Sequence, residues 1–358
     1  MGKKVIPHSK PTLDKDDFNA VMVVLKSNHL EEGLDVIKLE DNFRNFLNIN
    51  FASAVSSGFA SIHLALKALD IGKGDEIIIP SYCCSAILNP VLLLGATPIV
   101  VDVGKKSFNI SVEEVNKKIN SKTKAIIAPH IFGFPCKIDE LQTLGIPIIE
   151  DCAQSLGGTY KGEKLGCFGT LSCFSFYSTK MICGGDGGLV ATQDEDLYKK
   201  IINYRYYGHK RLHKEIAYNY HLTNMPASLI NSQFKKLNFF IERRKNIASL
   251  YDKYFSDVEN IEINFENKED SIYYRYPVML NKFFDIEKVK TEMLQRGIQC
   301  GYGVLDGLHE LLELGHNDFP NTTNNLKTIL SLPIYPSLSD KDVRYIAVTL
   351  INTLKKKI

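Results

Sequence analysis

Short runs of uninterrupted apolar residues, each closing in a turn signal, recur through the first half of the chain at 76–80, 98–102, 124–129, 147–151 and 171–176. Apolarity that is continuous rather than alternating means burial on both faces, the habit of parallel strands covered by helices. Helical spacing predicts crossover helices over 60–69, 86–94 and 112–119, so the class is α/β with a mostly parallel sheet. Residues 187–192 predict a further strand that returns beside this sheet. Apolar positions near helical spacing (Leu229, Ile230, Phe234, Leu237, Ile241, Ile247, Leu250) predict one long helix over 225–254. Beyond it the pattern predicts a strand over 271–280, a helix over 285–297, a short strand near 299–302, another helix and a closing helix over 340–354. That is a small α+β domain, and the expected division is 1–254 and 255–358.

Composition narrows the function classes. Hydrophobic residues are 44% and charged residues 23%, an ordinary globular mixture. A net charge of +2 without long single-sign runs argues against a nucleic-acid face, and Lys355-Lys356-Lys357 reads as a solvated tail. The eight cysteines form no Cys-x-x-Cys pair and no zinc-like spacing with histidine, so no metal is expected. Their scatter through apolar strands suits a reducing cytoplasm. The start lacks an apolar signal core and no run reaches the roughly 20 residues of a membrane span, so a cytoplasmic location without membrane contact is expected.

Sheets of this type bind ligands beyond the carboxyl ends of their strands. Asp102, His130 and Asp151 fall at such ends, and Lys180 lies just past its own, between Cys173-Phe-Ser-Phe-Tyr177 and the loop Gly184-Gly-Asp-Gly-Gly188. A lysine amine there can hold pyridoxal 5'-phosphate as a Schiff base and, once freed by substrate, move a proton. The carboxylate of Asp151 would keep the pyridine nitrogen protonated; Glu150, its neighbour, would point to the opposite face. Ser56-Ser57-Gly58-Phe59-Ala60-Ser61 precedes a helix, whose unpaired N–H groups suit a phosphate, and Ser175 could add a hydroxyl. The plainer alternatives are a salt-bridged lysine and a helix-capping aspartate. Together Lys180 and Asp151 favour a transaminase.

Ordered motifs extend this reading over nearly the whole chain: Ile6-Pro-His-Ser-Lys-Pro-Thr12, Leu25-Lys-Ser-Asn-His-Leu-Glu-Glu-Gly33, Ser56 to Leu66, Pro80-Ser-Tyr, His130-Ile-Phe-Gly133, Glu150-Asp-Cys-Ala-Gln-Ser155, Ser175-Phe-Tyr-Ser-Thr-Lys180, Tyr218-Asn219-Tyr220 and Leu332-Pro-Ile-Tyr-Pro336. In these the chain resembles the DegT/DnrJ/EryC1/StrS sugar aminotransferases, a branch of the fold-type I pyridoxal phosphate enzymes. The resemblance implies a large domain with a seven-stranded sheet and a small C-terminal domain. It implies that Lys180 holds the cofactor, Asp151 meets its ring nitrogen and Gln154 its ring hydroxyl. Ser57, Gly58, Phe59 and Ser175 would hold the phosphate, and Asn219 would reach the phosphate of a neighbouring subunit in a homodimer with shared active sites. The implied reaction moves an amino group from L-glutamate, or L-glutamine, to a keto group of a nucleotide-linked hexose, for amino sugars of surface polysaccharides such as lipopolysaccharide.

Three positions depart from the family pattern. Phe59 replaces the usual threonine of the phosphate loop, Cys84 stands where an aromatic commonly stacks on the ring, and His221 replaces an arginine. Tyr82 is the adjacent alternative for stacking. Two other readings are a nucleotide-sugar dehydratase of the same fold, against which Lys180 argues, and a non-catalytic regulatory homologue. Arg205, Lys210 and Arg211 are candidates for a substrate diphosphate, and His309 and Tyr302 could line the site.

Overall fold

The computed structural model describes residues 5–207 and 216–355. Its large sheet contains β1 (Phe51–Val55), β2 (Glu76–Pro80), β3 (Thr97–Val101), β4 (Thr123–Pro129), β5 (Ile148–Asp151), β8 (Leu171–Ser175) and β9 (Gly188–Thr192), with a short hairpin, β6 (Thr159–Tyr160) and β7 (Glu163–Lys164), between the fifth and sixth of these. The order is β1-β9-β8-β5-β4-β2-β3, parallel except that β9 runs against both of its neighbours. Side chains alternate between two cores: Ile77, Ile79, Ala125 and Ile127 enter one, Ile78 and Ile126 the other. Burial on both faces is therefore why these strands read as unbroken apolar runs. β1, Phe-Ala-Ser-Ala-Val, escapes the hydrophobic pattern because its residues are small and Ser53 is buried opposite Val190.

The small domain carries an antiparallel sheet, β10 (Ile261–Glu262), β11 (Tyr276–Leu280), β13 (Ile329–Leu332) and β12 (Gly301–Tyr302) in that spatial order, and the helices Ile286–Gln295 and Asp340–Lys355 bury Val289, Met293, Val343 and Ile346 in the same apolar cluster as its Tyr276, Val278 and Leu330. No helix among the described residues is long and apolar enough to cross a membrane.

Two expected elements differ. The single helix over 225–254 is two, Asn224–Phe234 and Leu237–Phe255, broken at Lys235-Lys236. The break lets the first helix pack on the N-terminal helices Lys15–Ser27 and Leu34–Leu47 while the second packs on Asp340–Lys355. Lys236 Nζ reaches Asp17 at 2.7 Å and Asp14 at 2.8 Å, fastening the break to the first helix. The strand over 271–280 begins only at Tyr276. Upstream, Tyr273 has φ 52° and the chain is sewn to the turn at 131–133 by Ile272 N–H to Gly133 O (3.1 Å) and Arg275 N–H to Phe132 O (3.3 Å). That stitching brings the small domain against the carboxyl ends of the large sheet.

Candidate active site

β8 ends at Ser175, and the chain loops back to β9 through Lys180. Phe176 N–H donates to Gly187 O and Gly184 N–H to Phe176 O, both at 2.8 Å, which pins the loop at its base. Gly185 (φ 86°) and Gly187 (φ 132°) occupy backbone conformations that glycine tolerates best. Lys180 is half-buried, with Nζ 5.3 Å from the centroid of the Tyr274 ring, and the Tyr274 hydroxyl lies 3.2 Å from Thr179 Oγ1.

Asp151 closes β5, next to β8 in register with Cys173. Its carboxylate is buried and accepts one hydrogen bond, from Ala153 N–H at 2.9 Å. Burial pushes its pKa above the usual carboxylate range, and the Ala153 N–H and the nearby charge of Lys180 only partly offset that. No cation pairs with it within 4.0 Å among the described residues. Glu150 faces the other way, as strand alternation requires. It accepts from the N–H groups of Gly166 (2.6 Å), Phe168 and Gly169 (both 2.9 Å), and from His130 Nε2 at 3.0 Å. Because His130 Nδ1 accepts the Cys136 N–H at 3.0 Å, that imidazole is neutral and donates from Nε2. Glu150 and His130 thus form a closed structural knot behind the site.

Gln154 is half-buried, and its Oε1 accepts the Phe132 N–H at 2.7 Å. This fixes the amide orientation and leaves the NH2 group as a donor. Ser57 caps the helix Gly58–Ala68, its hydroxyl accepting from Ala60 N–H at 3.1 Å. The N–H groups of Gly58 and Phe59 precede the first intrahelical bond and remain at the helix N-terminus. A Cβ on Gly58 would lie 2.7 Å from Ser175 Cβ, so glycine is what lets β8 and this helix start meet. Phe59 is half-buried against His63, 6.3 Å between ring centroids.

Cys84 is exposed, and its thiol is drawn down to about 6 chiefly by the Cys83 thiol hydrogen-bonded to it, with burial opposing and the nearby charge of Lys180 assisting. It therefore shares a space with Lys180 and Asp151. Tyr82 does not: it is fully buried, lies near-parallel to Phe108 at 6.2 Å, and its hydroxyl abuts Gly303. Asn219 is exposed on a segment held to the start of the Gly58 helix by Ser56 N–H to Tyr220 O at 2.7 Å.

Several sequence candidates lie elsewhere. Asp102 caps the helix Pro320–Thr328, accepting from Asn321 N–H (2.9 Å), Thr322 N–H (2.8 Å) and the Thr322 hydroxyl (2.7 Å). Arg205 is buried against Glu32 (2.6 Å) and Glu40 (3.1 Å), which leaves no free guanidinium for a diphosphate. Lys210 and Arg211 lie outside the described residues. His309 is buried, bonded to Ser81 Oγ (2.6 Å) and His316 (3.1 Å), and Tyr302 bonds Glu287. The fold also gathers His309, Glu310 and His316, which sequence spacing did not suggest as a group. Two residues at the site, Tyr274 and Arg275, carry no signal of their own in the sequence, because they belong to a segment that reads as an ordinary strand.

These features suit one cofactor. The buried Asp151 lacks a cation where a pyridinium would supply one, an N-terminal cradle faces Ser175, and the Lys180 amine lies near enough to Asp151 to act on its charge. Fold and site define a pyridoxal phosphate-dependent aminotransferase of fold type I. The chain belongs to the DegT/DnrJ/EryC1/StrS aminotransferase family, whose sequence model matches residues 11–351. It is 32% identical to GDP-perosamine synthase of Escherichia coli O157:H7, over 96% of this chain and 97% of that one. It is 31% identical to UDP-N-acetyl-3-dehydro-alpha-D-glucosamine 3-aminotransferase of Acidithiobacillus ferrooxidans, over 84% and 83% of the two chains. The structure of Helicobacter pylori PseC, an aminotransferase of pseudoaminic acid biosynthesis, matches with a TM-score of 0.91 at 26% identity, covering 99% of this chain and 100% of that one.

Proposed function

We propose that this chain transfers an amino group from L-glutamate to a keto group of a nucleotide-linked hexose, in a homodimer that makes amino sugars for a surface polysaccharide. The observation that carries the chemistry is Lys180 beside the buried, unpaired carboxylate of Asp151. The sugar substrate class rests on relatives named as GDP- and UDP-sugar aminotransferases.

Pyridoxal phosphate, when bound, supplies an electron sink for the carbon being transaminated. The chain's own residues do the rest. Lys180 would hold the cofactor and, when freed, could take and return a proton through Nζ. Asp151 would face the ring nitrogen, whose positive charge would offset the desolvation that otherwise favours the neutral carboxyl. The Gln154 NH2 group, oriented by Phe132, would donate to the ring hydroxyl. The Gly58 and Phe59 N–H groups and the Ser175 hydroxyl would hold the phosphate, with Asn219 contributed by a second copy.

The test is spectroscopic and chemical. The purified chain should be yellow, and L-glutamate should bleach the band; a panel of nucleotide keto sugars should then restore it and yield an amine by mass. Lys180→Ala should lose the band and keep the fold. A protein that takes up no chromophore from added cofactor, or that removes a hydroxyl without gaining nitrogen, contradicts the proposal.

A further inference from the structure

Tyr274 is buried with cations around it. Lys180 Nζ stands 5.3 Å from its ring centroid and the Arg275 guanidinium carbon 5.7 Å from the same point. Burial alone would raise the Tyr274 hydroxyl; Lys180, Arg275, the hydrogen bond with Thr179 and Arg244 together bring it below its ordinary value. Arg275 is tied by backbone to the cofactor side of the pocket: its N–H donates to Phe132 O, and the Phe132 N–H donates to Gln154 Oε1.

Its side chain, however, is short of partners. Arg44, Arg205, Arg243 and Arg296 each pair with a carboxylate, and buried Arg244 gives NH1 to the carbonyls of Tyr273, Tyr274 and Ile334. Arg275 is half-buried, makes one long hydrogen bond from NH1 to Tyr302 O at 3.4 Å, and has no carboxylate within 4.0 Å among the described residues. Lys290 lies over the Tyr302 ring at 2.9 Å and is matched to Glu287 at 3.6 Å. Half-buried His8, its pKa lowered to about 3 first by desolvation and then by Arg275 and Lys290, is neutral. A partly desolvated guanidinium without an anion is unfavourable, and its planar fork fits a carboxylate in bidentate fashion.

We propose that Arg275 anchors a carboxylate carried by the substrate that reacts at Lys180. This rests on the aminotransferase reading and sharpens it: one of the two substrates is acidic close to its reacting carbon. The carboxylate belongs either to the amino donor or to a uronic acid form of the hexose, and the same variants distinguish them.

The experiment compares holoenzyme of the wild type, Arg275→Gln and Arg275→Lys. Rapid mixing with L-glutamate gives an apparent dissociation constant from the saturation of the bleaching rate. A rise of at least tenfold in Arg275→Gln, largely recovered in Arg275→Lys, with the starting band unchanged, assigns the donor carboxylate. Wild-type constants for glutamate, together with a tenfold higher KM for a nucleotide-linked keto uronic acid but not for its neutral hexose counterpart, assign the sugar. Calorimetric titration of the cofactor-free chain with glutarate adds a readout independent of turnover, with weaker binding expected in Arg275→Gln. Unchanged constants for glutamate, glutarate and the uronic acid overturn the proposal, as does a loss confined to GDP or UDP binding. A wild type whose band no amino acid bleaches sinks the aminotransferase reading instead, and the glutarate titration then judges Arg275 alone.

Discussion

Two exposed cysteines, Cys84 and Cys167, sit in opposite electrostatic surroundings. The Cys83 thiol and Lys180 favour the Cys84 thiolate and draw its pKa to about 6, whereas burial and then Glu150 push Cys167 up to about 11. Only thiolates alkylate readily. With cofactor-free protein, iodoacetamide at neutral pH should therefore label the Cys84 peptide well before the Cys167 peptide. The Cys84 rate should climb as pH rises through about 6, and Lys180→Ala should move that midpoint upward. Equal labelling by peptide mass mapping, or a midpoint near the ordinary thiol value of about 8.5, would contradict this assignment. Cys84 is recognisable in the sequence as an unusual ring-side residue; its acidity is not, because it depends on how the fold orients the Cys83 thiol and on the charge of Lys180, nearly a hundred residues away. Glu150 and Asp151 were separable in advance by strand alternation, and their neighbours explain the outcome. Burial would raise the Glu150 carboxyl, but the His130 Nε2–H and the N–H groups of Gly166 and Gly169 outweigh it and hold it below the usual range. That stabilisation is complete above the unfolded value of about 4.3 and is lost as pH falls through the lower folded one. Glu150→Gln, which sets an amide NH2 against backbone N–H donors in a buried place, should cost about 1.5–3 kcal/mol in urea unfolding at pH 7 and flatten the acid limb of the stability profile.

At the scale of elements, helix ends decide what single residues suggest. Asp102 at the end of β3 has the look of a site carboxylate, yet its three acceptor contacts all go to the first turn of Pro320–Thr328. A cap and a catalytic acid are the same residue at the same strand end; only the partner helix, more than two hundred residues downstream, separates them. Asp102→Ala should cost about 1–2 kcal/mol of stability while leaving the cofactor band intact, and a bleached or unstable band in a folded variant would place Asp102 in the site after all. The strands were legible because burial on both faces writes an unbroken apolar run. The break at Lys235-Lys236 was not, since the apolar period passes through it and the cause, Asp14 and Asp17, is on another helix. The same holds for residues 271–275, where an apolar run is turned aside by hydrogen bonds to Phe132 and Gly133 and so delivers Arg275 to the pocket.

For the whole molecule, the proposed homodimer needs a surface through which two copies pair. Phe18, Val23, Leu34 and Ile37 on the two N-terminal helices and Tyr177 in the Lys180 loop are all more than half exposed, an apolar display that a lone globular protein rarely carries. Asn219 is exposed as well, and in the proposed dimer it would serve the site of the second copy. If each site takes Lys180 from one subunit and Asn219 from the other, two crippled proteins should repair one another. Lys180→Ala and Asn219→Ala homodimers, each poorly active, would exchange subunits on mixing. In a mixed dimer one site carries both substitutions and the other carries neither. Random exchange makes half of the dimers mixed, so activity should return to about a quarter of the wild-type level, with the cofactor band recovering in step. Sites built within single subunits would give no such recovery, because every lysine-bearing chain would still lack its asparagine. Leu34→Glu should loosen the dimer, seen as an earlier dissociation by sedimentation, and should weaken cofactor retention in the same protein concentration range, since losing the partner would remove Asn219 from every site at once.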